Sequence, residues 1–287
     1  MEAPVPQLKD HLPELHEFVS GLARQIAVGE LQGGEVLVAH FREFYGDERM
    51  RAIERVAPGW QDMAAQADRA TLHHISQALI ALQLLPEFRD APQSMRSALE
   101  WIVLYHDLGK RVIGGQRDAL HAFRSAAMAA KALPQVGFPC VAEYLSLIEP
   151  WTRLVHGASV AAADGKGPVQ DNRALPEILR GTERLFGTGS AASLIVQAVL
   201  LHQSLNVVPE WPNPGSLTAA ELSRCIGPAL LPLLEAMMLV DSDAWQLFDP
   251  VTRAQFRGRT LEVFADLRRR VDARVVVAHS RRFRRTE

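Results

Sequence analysis

The stretch Leu99-Glu100-Trp101-Ile102-Val103-Leu104-Tyr105-His106-Asp107-Leu108-Gly109-Lys110 decides how this chain is read. Leu99, Ile102, Val103 and His106 fall at i, i+3, i+4 and i+7, which places them on one stripe of a helix and turns His106 into the core. Asp107 follows in the last turn before the Gly109 stop, where the helix dipole is negative and a buried carboxylate is disfavoured unless a cation compensates it. A bound metal would supply that cation. A His-Asp pair alone arises by chance in roughly a third of chains this long, but Gly and Lys at the next fixed places reduce this to about one in a thousand. The five-residue match is therefore informative.

Working outward, runs rich in Ala, Leu, Arg and Glu recur with helical periodicity, and strand-like alternation is almost absent outside the short valine run at 275–277. The expected fold class is all-α. Gly and Pro punctuation divides the chain into about ten helices. Residues 1–66 hold no cluster of catalytic groups and read as an N-terminal helical subdomain, with Val36, Val38, Phe41 and Phe44 as a docking stripe. Residues 67–250 carry the chemistry, and 251–287 form a C-terminal helix and Arg-rich tail. Segments 163–172 and 207–216 read as flexible loops, and Trp211, between prolines, is placed to overhang a pocket.

The same stripe test selects a few other residues. Asp241 closes Leu234, Met237, Met238, Asp241, and His202 closes Ile195, Ala198, Val199, His202, both at i, i+3, i+4 and i+7. His156 has Glu149, Thr152 and Arg153 before it on its face, with Pro150 suggesting a helix that has only just begun, so it ranks below His202. On the helix 70–85, His74 shares its side with Ala78, Ala81 and Leu85, whereas His73 has Gln77 as its i+4 neighbour. His74 is the better ligand, with His73 behind it. His121, with Ser125 and Met128 on its face, joins the set by context. For each one singly a hydrogen-bonded core residue is the bland alternative; several on separate helices favour a metal cluster.

A chain of 287 residues, 48% hydrophobic, can bury a large core, and a formal charge of -2 with a pI near 6.6 gives no global cationic field for nucleic acid or membrane. Local contact remains open through the eight arginines of 268–285, although such a run is more often a solvated face. Cys140 and Cys225 stand in no paired spacing, which suits a reducing compartment. The first nine residues do not read as a secretory signal and no apolar stretch reaches membrane-spanning length, so a cytoplasmic location is expected. There is no P-loop, nucleophile elbow or Rossmann fingerprint. Oligomerisation is left open.

The order His74, His106-Asp107, His121, His202, Asp241 resembles the His…His-Asp…His…His…Asp arrangement of the HD superfamily of metal-dependent phosphohydrolases, over roughly residues 68 to 250. The His-Asp-Leu-Gly-Lys segment and Leu239-Val240-Asp241 are its specific parts; the segment at His121 is similar to the His-xxx-Ser/Gly-Ala element of several branches. The resemblance implies a helical bundle and hydrolysis of a phosphomonoester or phosphodiester, with a nucleotide as the expected small partner. The Gly-Tyr-Pro element of cyclic-dinucleotide phosphodiesterases is lacking, and His156 and His202 compete for one family position. Imidazole and carboxylate ligands together suit one or two ions of Mn, Fe, Co, Ni or Zn. Asp107 is placed to bridge two metals, and Lys110 to meet a phosphate as a point charge, with Arg111, Arg124 and, more weakly, Arg117 behind it. A di-iron oxygenase and a non-catalytic signalling module on the same fold are the alternatives.

Overall fold

The computed structural model describes residues 4–66, 69–112, 118–162, 167–205, 207 and 215–283. Across these residues the chain is all-α: fifteen α-helices, two short 3-10 turns and one antiparallel pair of three-residue strands, Ser159–Ala161 with Pro168–Gln170. Five helices form the centre of the bundle: Ala70–Leu84, Gln93–Tyr105, His121–Ala132, Ala191–Leu201 and Leu231–Trp245. Helix Ala191–Leu201 lies against Gln93–Tyr105, His121–Ala132 and Leu231–Trp245, and Ala70–Leu84 lies against Gln93–Tyr105 and Leu231–Trp245.

The sequences of these helices explain their central position. Ala191–Leu201 is apolar apart from Ser193 and Gln197, which are buried and hydrogen-bonded to each other, so it is stable only when surrounded. Its start is fixed by Ser190, whose side chain accepts the Ser193 backbone N–H. In His121–Ala132, Ala122, Ala126, Ala129 and Ala130 are fully buried, and their small side chains let Ala191–Leu201 approach closely. The N-terminal helices share this core: Pro13–Ala27 packs on Ala70–Leu84, and Tyr45 Oη lies 2.6 Å from Ser76 Oγ. Helix Pro250–Phe283 runs along Leu231–Trp245 and buries Phe264, Leu267 and Val271.

Several expectations need correction. The valine run at 275–277 lies inside helix Pro250–Phe283, because three apolar residues among arginines continue a helix as readily as they form a strand. The pairing strands instead come from 159–161 and from 168–170, within a segment expected to be a loop; three residues are too few for alternation to register. Helices outnumber the expected ten because turns such as Leu8–His11, Pro86–Arg89 and Ala219–Leu222 are four residues long. In the docking stripe Phe41 and Phe44 are buried with Leu37, but Val36 is 49% exposed. Pro150 sits within helix Tyr144–Gly157, which absorbs the one missing N–H, so His156 belongs to the last turn. Trp211, Arg117 and residues 163–166 and 208–214 lie outside the described residues.

Candidate metal centre

Each central helix delivers one part of the centre. Helix Gln93–Tyr105 ends with His106 as its C-cap, so Asp107 lies in the turn beyond it and not in a last helical turn running to Gly109 as expected, and helix Ala191–Leu201 ends in the same way on His202. In both, the ring turns back on the helix end: His106 Nδ1 donates to the Val103 carbonyl at 2.7 Å and His202 Nδ1 to the Val199 carbonyl at 2.7 Å. Each bond satisfies one of the carbonyls that a helix end leaves without an intrahelical partner. His121, the first residue of its helix, makes the same bond three residues back and donates from Nδ1 to the Asp118 carbonyl in the turn before the helix. A carbonyl can only accept, so Nδ1 carries a proton in all three rings, and in the neutral ring, the form that binds a metal, Nε2 presents a lone pair.

Those lone pairs converge. His121 Nε2 is 3.2 Å from His202 Nε2, and Asp107 Oδ1 is 2.9 Å from the first and 3.7 Å from the second. On the other side His106 Nε2 is 3.3 Å from His74 Nε2 and 3.6 Å from Asp241 Oδ1, while Asp241 Oδ1 is 2.8 Å from His74 Nε2. The result is two adjacent groups, His74/His106/Asp241 and Asp107/His121/His202, each with donor atoms within 4.8 Å of one another. Asp107 stands between them, since its Oδ2 lies 3.8 Å from His74 Nε2 and 3.9 Å from His106 Nε2. These buried groups could hold metal ions.

The donor chemistry fits that use. His121 and His202 face each other with bare lone pairs beside a carboxylate oxygen, and three acceptors at such distances repel unless a cation lies among them. A proton can serve one pair of acceptors; a divalent ion serves all three. The C-terminal ends of Gln93–Tyr105 and Ala191–Leu201 both point here, and their negative dipole ends favour positive charge.

Burial and neighbours push the titrations apart. Burial alone would raise Asp107, but the Lys110 ammonium, 2.7 Å from Oδ2, and the His121 and His106 rings hold its carboxyl well below the ordinary range. Burial acts the same way on Asp241 and is overridden by His106 and His74, which keep it well below the ordinary value. Desolvation lowers His74 and His202, whereas in His106 the carboxylates of Asp107 and Asp241 outweigh desolvation and raise it.

The turn after Asp107 is fixed by close packing. Gly109 N–H donates to Ser125 Oγ at 2.8 Å, and a Cβ on Gly109 would meet Arg124 Cβ and Ser125 N at 2.7 Å. Arg124 donates from Nε to the Gly109 carbonyl and pairs through its guanidinium with Asp118. Arg124 therefore ties the turn to the carbonyl that orients His121. Its guanidinium is engaged there, which weakens it as a phosphate contact. Arg111 is exposed and, with Phe123, Arg124 and His156, lines a separate cavity of about 360 Å³. His156 is exposed and stands outside both groups, so the structure brings in His202 instead. His73 faces Phe41, ring centroids 5.6 Å apart, and also stands outside.

Two residues escaped the sequence reading. Asp118 is buried and accepts from Arg111 N, Leu120 N and Arg124. Trp245 stacks on the His74 ring, centroids 4.5 Å apart and planes 18° from parallel. Along the C-terminal helix, Arg268, Arg269, Arg270 and Arg274 are engaged with Glu235, Asp266 and the Ile226 carbonyl. No helix among the described residues is long and apolar enough to cross a membrane. Comparison with known proteins returned no matching family model, curated protein or solved structure.

Proposed function

We propose that this chain is a metal-dependent phosphohydrolase of the HD type, acting on a nucleotide or a related phosphoester. One observation carries the reading: four histidines and two aspartates, on or just beyond the ends of five helices, converge as two adjacent three-donor groups, with Asp107 of one group facing the other. Bound there, divalent ions supply a water acidified towards neutrality and neutralise charge on phosphoryl oxygens. The protein's own part is positional. The Val103, Val199 and Asp118 carbonyls hold three imidazoles in the tautomer that exposes Nε2, and Lys110 adds to the lowering of the Asp107 carboxyl while offering an ammonium at the rim for a phosphate oxygen.

A second reading is favoured by the composition of each group. Two imidazoles and one carboxylate make a set that also suits non-haem iron with open positions for oxygen.

The test is incubation of Mn-loaded protein and its Asp107→Ala variant with a pool of nucleotides, cyclic nucleotides and phosphodiesters, products being identified by mass spectrometry. Release of phosphate or opening of a diester by the wild type alone is the expected result. No product from either protein, together with oxygen uptake by the iron-loaded form, would transfer the assignment to the oxygenase.

A further inference from the structure

Trp245 is 60% exposed, although a buried indole removes about 150–250 Å² from water and is normally driven inside. One of its faces is already taken, because it lies nearly parallel to the His74 ring at 4.5 Å. Its exposure therefore belongs to the opposite face and the edge. The same side is where solvent reaches the centre: His74, His106, Asp107, His121 and His202 are each at most 2% exposed, whereas the Asp241 side chain is 30% exposed. Asp241 and Trp245 are separated by one turn of helix Leu231–Trp245, so the open π-face stands beside the one donor that solvent touches.

We propose that the outward face of Trp245 is a stacking platform for a planar ring of the substrate, a nucleobase carried by the phosphoester whose phosphate lies at the metal groups. The inference deepens the phosphohydrolase reading and rests on it for the phosphate. An aromatic face adds affinity for any base without selecting one by hydrogen bonds, so the platform selects for nucleotides as a class over ring-free sugar phosphates.

The test is calorimetric titration of Mn-loaded wild type, Trp245→Leu and Trp245→Phe with the hydrolysis-resistant phosphonate analogues of adenosine 5′-monophosphate and of ribose 5-phosphate. Metal content is measured on each protein. Base–aromatic stacking of about 1–3 kcal/mol corresponds to roughly 5- to 150-fold. Trp245→Leu is expected to lose that much affinity for the adenosine analogue beyond any loss for the ribose analogue, with Trp245→Phe in between. Equal losses on the two ligands would reduce Trp245 to a support for His74, and an unchanged affinity for the adenosine analogue, or no binding of it by wild type, would also overturn the platform. Turnover is measured separately, so a Trp245-dependent preference for the ring in a protein that hydrolyses nothing counts against the hydrolase and leaves the platform standing.

Discussion

Lys110 Nζ sits 2.7 Å from Asp107 Oδ2, the oxygen on the side of His74 and His106, while the other oxygen of the same carboxylate faces His121 and His202. One carboxylate thus answers to both donor groups and to a lysine at the rim. Lys110→Met removes the strongest influence holding the Asp107 carboxyl down and, among the described residues, the ammonium in contact with it. At neutral pH the carboxyl stays ionised, so bound metal is retained. The loss falls on the substrate: kcat/KM for a phosphoester should drop roughly 10- to 150-fold, the ~1.5–3 kcal/mol of a hydrogen bond to a charged group. Steady-state kinetics beside metal analysis checks this, and a variant that loses metal instead would assign Lys110 to holding Asp107 alone.

The two donor groups have no residue in common, although Asp107 of one faces His74 and His106 of the other, and this gives them separable metal losses. His202→Ala removes a donor from the Asp107/His121/His202 group and leaves His74, His106 and Asp241 intact. Metal content should fall to about half that of wild type, with the same result for His74→Ala from the other side, and Asp107→Ala should lower both. Elemental analysis of purified proteins reads the stoichiometry. Complete loss in either histidine variant would mean that the groups fill as one unit.

How much of this was legible depended on how each residue announces its direction. His106, His202 and Asp241 end apolar stripes at i, i+3, i+4 and i+7, and all three arrive at the centre. Periodicity cannot say where a helix stops, so the C-capping of His106 and His202 onto Val103 and Val199 was not foreseen. His156 was harder to place because Pro150 reads as a helix start but lies mid-helix here. Asp118 and Trp245 carried no stripe: one acts through loop backbone, and the other stacks at a helix end on a residue far away in sequence. Such partnerships across the fold have no local signature.

The glycine of the His-Asp-Leu-Gly-Lys segment is required by space, not by backbone conformation. A Cβ at Gly109 would fall 2.7 Å from Ser125 N and 2.9 Å from the Arg124 backbone carbon, and backbone on a packed helix cannot swing aside. Gly109→Ala should therefore destabilise the protein by about 1–3 kcal/mol through overpacking, and push the turn away from Ser125 and Arg124. Urea denaturation should show the lower midpoint. A neutral result would mean that the turn relaxes without cost, and the packing explanation of this glycine would fail.

The opposed shifts of the buried histidines give the metal-free protein a stability maximum in pH. His74 and His202 are lowered by burial, so below the unfolded value of about 6.5 the unfolded chain binds more protons and stability falls as pH drops. His106 is raised by Asp107 and Asp241 against its burial, so its contribution is complete below about 6.5 and is lost as pH rises through its folded value. Thermal midpoints of metal-free protein should accordingly peak near pH 6.5 and fall on both sides. Metal must displace the His106 proton, so the additional stabilisation from saturating Mn or Zn should grow over the same upper window in which the metal-free protein weakens. Scanning midpoints with and without metal from about pH 5.5 to 8.5 separates these limbs; a metal-free profile that rises steadily through pH 7 would remove the elevated His106 from the account.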